Sequence, residues 1–121
     1  MTDAQVPDYL KLMFAATAAA RDVLAERRRQ VEVEGWTPEH DDEHDAGELA
    51  AAGAAYAVVA LDELHPMSQG DGGYTLTPPD LWPFDGTWWR PSRDRRRNLV
   101  KAGALILAEI ERLDRMGGSD E

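Results

Sequence analysis

The sequence predicts an all-α fold, a small helical bundle of three to four helices with one long aromatic-rich loop. Three stretches carry apolar residues at helical spacing, and glycine or proline stands at the ends of these stretches. The 121 residues have the size of one domain, so we expect a single helical domain over residues 1–121. Its two ends, residues 1–7 and 117–121, are expected to be flexible tails.

The first predicted helix begins at Pro7 and Asp8, because proline is favoured in the first turn of a helix, and it runs to about Glu34. A break is expected near residue 20, where Thr17 is followed by alanines. Gly35 is the expected stop, since glycine readily adopts the left-handed conformation that ends many helices.

A polar connection over residues 36–45 leads to the second predicted helix, over residues 46–64. Asp45 and Glu48 have the spacing of a capping box, with Asp45 as the N-cap. The positions that follow are almost all apolar, so we expect this helix at the centre of the fold. Gly53, which stands among alanines, predicts an unusually close approach of another helix.

Residues 65–91 form a long connection whose glycines and prolines exclude a long helix, and residues 74–77 have the composition of a short strand-like piece. Ser92 is the predicted N-cap of a third helix that reaches about Met116. One apolar face of this helix consists of Leu99, Gly103, Ile106, Ile110 and Leu113, and Val100, Leu105 and Leu107 widen it.

Composition excludes several classes of function. The net charge of −10 argues against direct nucleic-acid binding, which needs a basic surface, and suits a partner that is itself basic. The apolar runs are too short to span a membrane, and the N-terminus lacks the basic start of a signal peptide, so we expect a cytoplasmic protein. Much of the apolar content is alanine, which buries little area per residue and therefore favours a homo-oligomer.

One stretch is dense in ionisable groups just before the second helix. His40 and His44 lie four residues apart and would share a face if the stretch were helical. One interpretation is a solvated acidic loop that also caps the helix. The other is a source of metal ligands or of a general base, because carboxylates suit hard cations and imidazoles suit transition metals. The seven consecutive groups are Glu39, His40, Asp41, Asp42, Glu43, His44 and Asp45.

A basic cluster stands at the start of the third helix, where cations oppose the helix macrodipole. Such a cluster needs a counter-anion, which is either the acidic stretch of residues 39–45 or a bound phosphate. Residues 27–29, three further arginines, would join the cluster if the first and third helices are neighbours. The cluster comprises Arg90, Arg93, Arg95, Arg96, Arg97 and Lys101.

Four large aromatic rings lie close together ahead of the third helix. They either cover a thin alanine-rich core or offer a surface on which a base or a protein partner binds. They are Trp82, Phe84, Trp88 and Trp89.

The segments LAERRRQVEVEGWTPEHDDEHD and RRRNLVKAGALILAEIERLDR resemble a family of small phage and prophage proteins, over residues 22–115. The layout is more distantly similar to MazG-like all-α nucleotide pyrophosphohydrolases, whose carboxylates hold Mg²⁺ against a triphosphate. Glu26 matches the acid of that family's first helix. Where the family has its Glu-Glu-x-x-Glu, this chain has residues 51–55, all alanine or glycine, and only Glu48 remains at the start. A Mg²⁺ ion would therefore lack ligands.

We therefore expect a phage-type accessory protein that binds rather than catalyses and needs no cofactor. It either captures a nucleotide-like small molecule or inhibits a host defence protein through its acidic surface. The ligand-binding residues would be Arg93, Arg95, Arg96, Arg97, Trp36, Trp88 and Trp89. The alternative is a Mg²⁺-dependent MazG-like pyrophosphohydrolase with Glu26 and Glu48 as catalytic residues and a metal set of His40, His44, Glu48 and Asp114.

Overall fold

The computed structural model describes residues 7–8, 15–61 and 78–117. Every regular element in these ranges is helical, which confirms the all-α prediction. The strand-like piece predicted at residues 74–77 lies outside the described residues. In chain order the elements are α1 (Ala18–Glu32), α2 (Pro38–Asp42), α3 (Glu48–Val59), a 3-10 turn (Gly86–Trp88) and α4 (Arg95–Arg115).

Helix α1 begins where the sequence allowed a break. The Thr17 hydroxyl accepts a hydrogen bond from Ala20 N at 3.2 Å, and Thr17 is therefore the N-cap. The helix ends at Glu32, and Gly35 follows in the left-handed region with φ +78°, as expected of the stop signal.

The polar connection that we predicted over residues 36–45 contains a short helix, α2. Pro38 occupies the first turn of α2, where its missing N–H costs nothing, and the Thr37 hydroxyl accepts from His40 N at 3.3 Å. Pro38 therefore starts a helix. This turn buries Asp41 completely and brings His40 and His44 together.

The predicted N-cap of α3 is wrong. Gly47, with φ +91°, occupies the cap position without a side-chain hydrogen bond, and Glu48 Oε1 instead accepts from Ala46 N at 2.7 Å. The close approach predicted at Gly53 is confirmed, because a Cβ there would lie 3.0 Å from Ile106 Cγ1 and 3.1 Å from the Ala102 carbonyl oxygen on α4. The central position of α3 is confirmed by its fully buried members Leu49, Ala52, Ala55 and Val59.

Helix α4 starts later than predicted. Asp94, not Ser92, is the N-cap, and its side chain accepts from Arg96 N. Ser92 instead exchanges two hydrogen bonds with the buried Asn98, from Ser92 N to Oδ1 at 2.7 Å and from Nδ2 to Ser92 O at 2.8 Å. These bonds hold the chain against the first turn of the helix.

The bulky apolar face of α4 is exposed rather than turned to the core. The buried side of α4 carries Ala102, Ala104 and Ala108, which let the neighbouring helices approach closely, together with the larger Val100 and Leu105. Four of the large side chains on the predicted apolar face remain 44–50% exposed, namely Leu99, Ile106, Ile110 and Leu113.

Aromatic rings from the loop complete the core against α3. Tyr56 has its ring centroid 4.7 Å from Trp89 and 5.6 Å from Trp82, and all three are buried. The covering role predicted for the aromatic loop therefore holds for these two tryptophans, whereas Trp88 is 48% exposed. None of the described helices is long and apolar enough to cross a lipid bilayer.

Candidate functional site

A buried carboxylate, Glu26, stands at the centre of a polar network between α1 and α4. Its oxygens accept from Arg29 at 2.8 and 2.9 Å, from Gln30 Nε2 at 3.1 Å and from Arg97. Arg96 makes a separate ion pair at 2.8 Å with Asp22 on α1. The counter-anions of these two arginines of α4 are thus carboxylates of α1 and not the acidic stretch of residues 39–45.

Glu26 is held in its ionised form. Burial raises the pKa of this carboxyl, but the hydrogen bonds from Arg29 and Arg97 outweigh that effect, and the pKa lies below its usual range. The same bond to Glu26 raises the pKa of Arg29. An ionised carboxylate held by three donors serves as a fixed anion that orients its cationic neighbours, and it is poorly suited to accept a proton at neutral pH.

Two acids of the predicted acidic loop form ion pairs with arginines of other helices, one buried and one exposed. Asp41 accepts from the buried Arg27 at 2.8 Å, and Arg27 also donates to the Trp36 carbonyl oxygen at 3.1 Å. Asp42 pairs with Arg115 of α4 at 2.7 Å. These pairs hold α2 against α1 and against the C-terminal end of α4, so their role is structural.

The two histidines lie together, with ring centroids 4.8 Å apart. His44 Nδ1 is 3.4 Å from Glu48 Oε2, and His40 Nδ1 is 3.1 Å from Asp41 Oδ1. The pKa of Glu48 is lowered by backbone hydrogen bonds, from its own N–H and that of Ala46. Within residues 7–8, 15–61 and 78–117, no group of three or more His, Asp or Glu side chains could hold a metal ion, so Asp114 does not complete a site with this cluster.

The histidines form one wall of an aromatic cavity of about 330 Å³. The His40 ring stacks on Trp36 at 5.4 Å, and Phe84 meets Trp36 edge-on at 5.5 Å. The cavity therefore has flat apolar walls with hydrogen-bonding groups at its rim. Its lining consists of Glu34, Trp36, His40, His44, Phe84, Asp85 and Trp88.

A second cavity, of about 230 Å³, lies at the arginine end of the network. The guanidinium groups of Arg29, Arg96 and Arg97 line it, and their side chains are 35%, 55% and 37% exposed. Because a guanidinium has five N–H donors, each of these ion-paired arginines keeps donors for a further anion. Its remaining lining residues are Asp22, Ala25, Glu26, Asp94 and Val100.

A narrow space of about 20 Å³ lies between the two cavities and shares residues with both. It shares Glu26 and Arg29 with the arginine cavity, and Glu34, Trp36 and Trp88 with the aromatic cavity. The narrow space therefore adjoins both cavities, and we call the three spaces together the arginine–aromatic groove.

Two polar groups mark the narrow middle of the groove. Gln30 is 3% exposed, and its Oε1 has no hydrogen-bond partner among the described residues. Lys101 donates from Nζ to the Arg90 carbonyl oxygen at 2.6 Å, and burial together with the nearby Arg97 lowers its pKa. A buried acceptor without a partner costs about 1–3 kcal/mol.

The predicted ligand-binding residues divide into two groups. Arg96, Arg97, Trp36 and Trp88 line the groove. The other three lie elsewhere: Arg95 donates to the Ala60 carbonyl oxygen, Trp89 is buried in the core, and Arg93 is exposed ahead of α4.

Sequence reasoning missed several groove residues. Gln30 and Glu34 carry no motif of their own, because their roles follow from the way in which α1 crosses α4. Arg29 was foreseen only as a member of the cluster that would form if these helices were neighbours, and they are. Trp36 and Phe84 are distant in the sequence, and only folding brings their rings together.

Neither a protein-family model nor a curated protein nor a solved structure matches this chain, so the arrangement of the groove is the guide to its function.

Proposed function

We propose that this protein binds a nucleotide-like small molecule in the arginine–aromatic groove. The observation that supports the proposal best is the order of chemistry along the groove, with guanidinium groups at one end and aromatic rings at the other. A nucleotide has the same order, with anionic phosphates at one end and a flat base at the other. Only together do the two cavities, of about 230 and 330 Å³, fall well within the range of roughly 300–1,000 Å³ that small-molecule pockets occupy.

The aromatic end suits a base. Trp88 is 48% exposed beside Trp36 and His40, so a ring can lie against its face. Stacking on an aromatic side chain contributes about 1–3 kcal/mol per base. The carboxylates of Glu34 and Asp85 are acceptors at the rim and favour a base that presents N–H donors.

The arginine end suits phosphate. Arg96 uses Nη1 for Asp22 and remains 55% exposed, and Arg29 and Arg97 lie in the same cavity. Charge-assisted bonds from guanidinium forks to phosphate oxygens are among the stronger hydrogen bonds in proteins. The carboxylates of Asp22, Glu26 and Asp94 balance the charge of the three arginines there, so the proposal predicts moderate affinity that falls as salt rises.

The binding test uses isothermal titration calorimetry with a panel of nucleoside triphosphates, the matching nucleosides, and inorganic triphosphate. We expect saturable binding of nucleotides. Trp88→Ala should weaken it about tenfold or more, because about 1.4 kcal/mol of lost stacking is a factor of ten. Leu81→Ala is the matched control, since Leu81 is 47% exposed in the same loop and lines none of the three cavities.

A second pair of variants tests the phosphate end. Arg96→Ala should weaken triphosphate binding about tenfold and leave nucleoside binding unchanged. Arg115→Ala removes another ion-paired arginine, outside the groove, and should change neither. No saturable binding of any nucleotide at millimolar concentration refutes the proposal. Release of pyrophosphate with Mg²⁺ or Mn²⁺, abolished by Glu48→Ala, would instead make the protein a MazG-like hydrolase.

A further inference from the structure

We propose that the exposed apolar face of α4 pairs two copies of this chain in an antiparallel dimer centred near Ile106. The face consists of Leu99, Ile106, Ile110 and Leu113, which we call the α4 stripe. Each of the four side chains is 44–50% exposed. The four residues of the stripe line none of the three spaces of the arginine–aromatic groove, although Arg96 lies at the edge of both surfaces, and the proposal does not depend on what the groove binds.

The spacing of the stripe is that of a helix–helix seam. Leu99, Ile106 and Leu113 recur every seven residues, and Ile110 lies between two of them on the same side. Apolar residues at this spacing keep one line of side chains facing a partner helix along its whole length. A solvated helix face is normally polar, so a line of four large apolar side chains indicates a surface that a second helix covers.

The apolar surface extends onto α1. Val23 lies against Gly103, where an added Cβ would be 3.2 Å from Val23 Cγ2, and the next residue, Leu24, is 57% exposed. The absence of a side chain at Gly103 lets α1 sit close to the stripe. The patch is therefore wider than one helix and suits a partner that offers an equally broad apolar face, as a second copy does.

Charges beside the stripe favour an antiparallel partner. Arg96 and Asp114 lie a whole number of turns apart at 3.6 residues per turn, so both are on the same flank, near opposite ends of α4. Both are exposed. In an antiparallel pair with a two-fold axis near Ile106, the N-terminal end of each stripe meets the C-terminal end of the other, and Asp114 of the second copy comes within reach of Arg96.

A parallel pair would bring like charges together. Equivalent ends would then be neighbours, so Arg96 would face the N-terminal end of the other α4, where Arg95 stands. The antiparallel arrangement also places the positive end of each helix macrodipole beside the negative end of the other, which is favourable. Leu99 of one copy meets Leu113 of the other, and Ile106 meets itself.

Sedimentation equilibrium of the purified full chain tests the stoichiometry. We expect a mass twice that of the 13.4 kDa chain. Ile110→Lys should reduce it to the mass of one chain while the helical circular dichroism is retained. Leu81→Lys, at a side chain of similar exposure outside the stripe, should leave the dimer intact. A native chain that sediments as a monomer overturns the proposal.

Disulfide trapping tests the orientation, and the chain offers a clean background because it has no cysteine. Under mild oxidation, a mixture of Leu99→Cys and Leu113→Cys chains should form a mixed disulfide. Leu99→Cys alone should cross-link no more than the control Arg28→Cys, which places a cysteine at an exposed position. Strong cross-linking of Leu99→Cys alone, without the mixed product, would refute the antiparallel arrangement.

Discussion

Replacing Asp41 by alanine should destabilise the fold by about 3 kcal/mol. Asp41 is fully buried and accepts a hydrogen bond from Arg27 Nη2 at 2.8 Å. Removing one partner of a buried ion pair costs about 3–5 kcal/mol, because the remaining charge stays buried without its counter-charge. The lower end applies here, since Arg27 keeps its contacts with the Trp36 carbonyl oxygen and with Glu111, both at 3.1 Å.

Asp42 provides a matched control in the same short helix. It pairs with Arg115 at 2.7 Å, close to the distance of the buried pair, but its side chain is 48% exposed and that of Arg115 is 33% exposed. Exposed pairs contribute about 0–1 kcal/mol, because water solvates both charges in the folded and the unfolded chain. Asp42→Ala should therefore cost no more than about 1 kcal/mol, although it deletes the same chemical group.

Urea unfolding followed by helical circular dichroism, at one fixed protein concentration, measures both variants as changes in the free energy of unfolding. Asp41→Asn should lie between them at about 1.5 kcal/mol, because it keeps an acceptor for Arg27 but loses the charge. It also supplies the measurement if Asp41→Ala does not fold. The reasoning is refuted if Asp41→Ala or Asp41→Asn costs no more than Asp42→Ala.

Two further perturbations follow from the polar network and from the start of α3. The folded-state pKa of Glu26 lies below its unfolded value of about 4.3, so its contribution is present above that pH and is lost as the pH falls through the lower folded value. The stability difference between the native chain and Glu26→Gln should therefore shrink from about pH 6 to about pH 3 in urea titrations, and a constant difference would contradict this. Gly47→Ala should cost about 1–2 kcal/mol, because φ is +91° there although an added methyl meets nothing within 4 Å. Gly86→Ala is the control, because an added methyl there also meets nothing within 4 Å but φ is not positive, so this variant should be close to neutral. Thermal unfolding of both variants measures the two effects, and equal effects would disprove the backbone explanation.

The helices of this protein could be located from local chemistry alone. Thr17, Gly35 and the alternation of apolar and polar residues act within one or two turns, and the three long helices lie close to where these signals place them. The errors concern the short helix α2, which was predicted as a connection, and the ends and caps of the helices. The N-caps are Gly47 and Asp94 and not the predicted Asp45 and Ser92. Several residues near a helix start can serve as the N-cap, and the tertiary path of the chain selects among them.

The candidate site could be predicted only in part. Arg96 and Trp88 were chosen because clustered arginines and exposed aromatics suit phosphates and bases, and both line the groove. Trp89 was chosen on the same ground but is buried in the core, since the chain becomes extended at Trp89, after the 3-10 turn that contains Trp88, and the two side chains are not presented in the same direction. Gln30 gave no signal, because its unpartnered oxygen exists only once α1, α3 and α4 surround it.

The sequence by itself determined the helical class and the approximate extent of the helices, because hydrogen bonds and steric preferences within a few residues decide both. Only the tertiary structure decided which face of α4 is buried. The close approach of α3 at Gly53 draws the side of α4 that carries Ala102 inward and leaves Leu99, Ile110 and Leu113 about half exposed. It also decided that Arg97 meets Glu26 while Asp41 meets Arg27, since partners distant in the chain come together only when the helices cross.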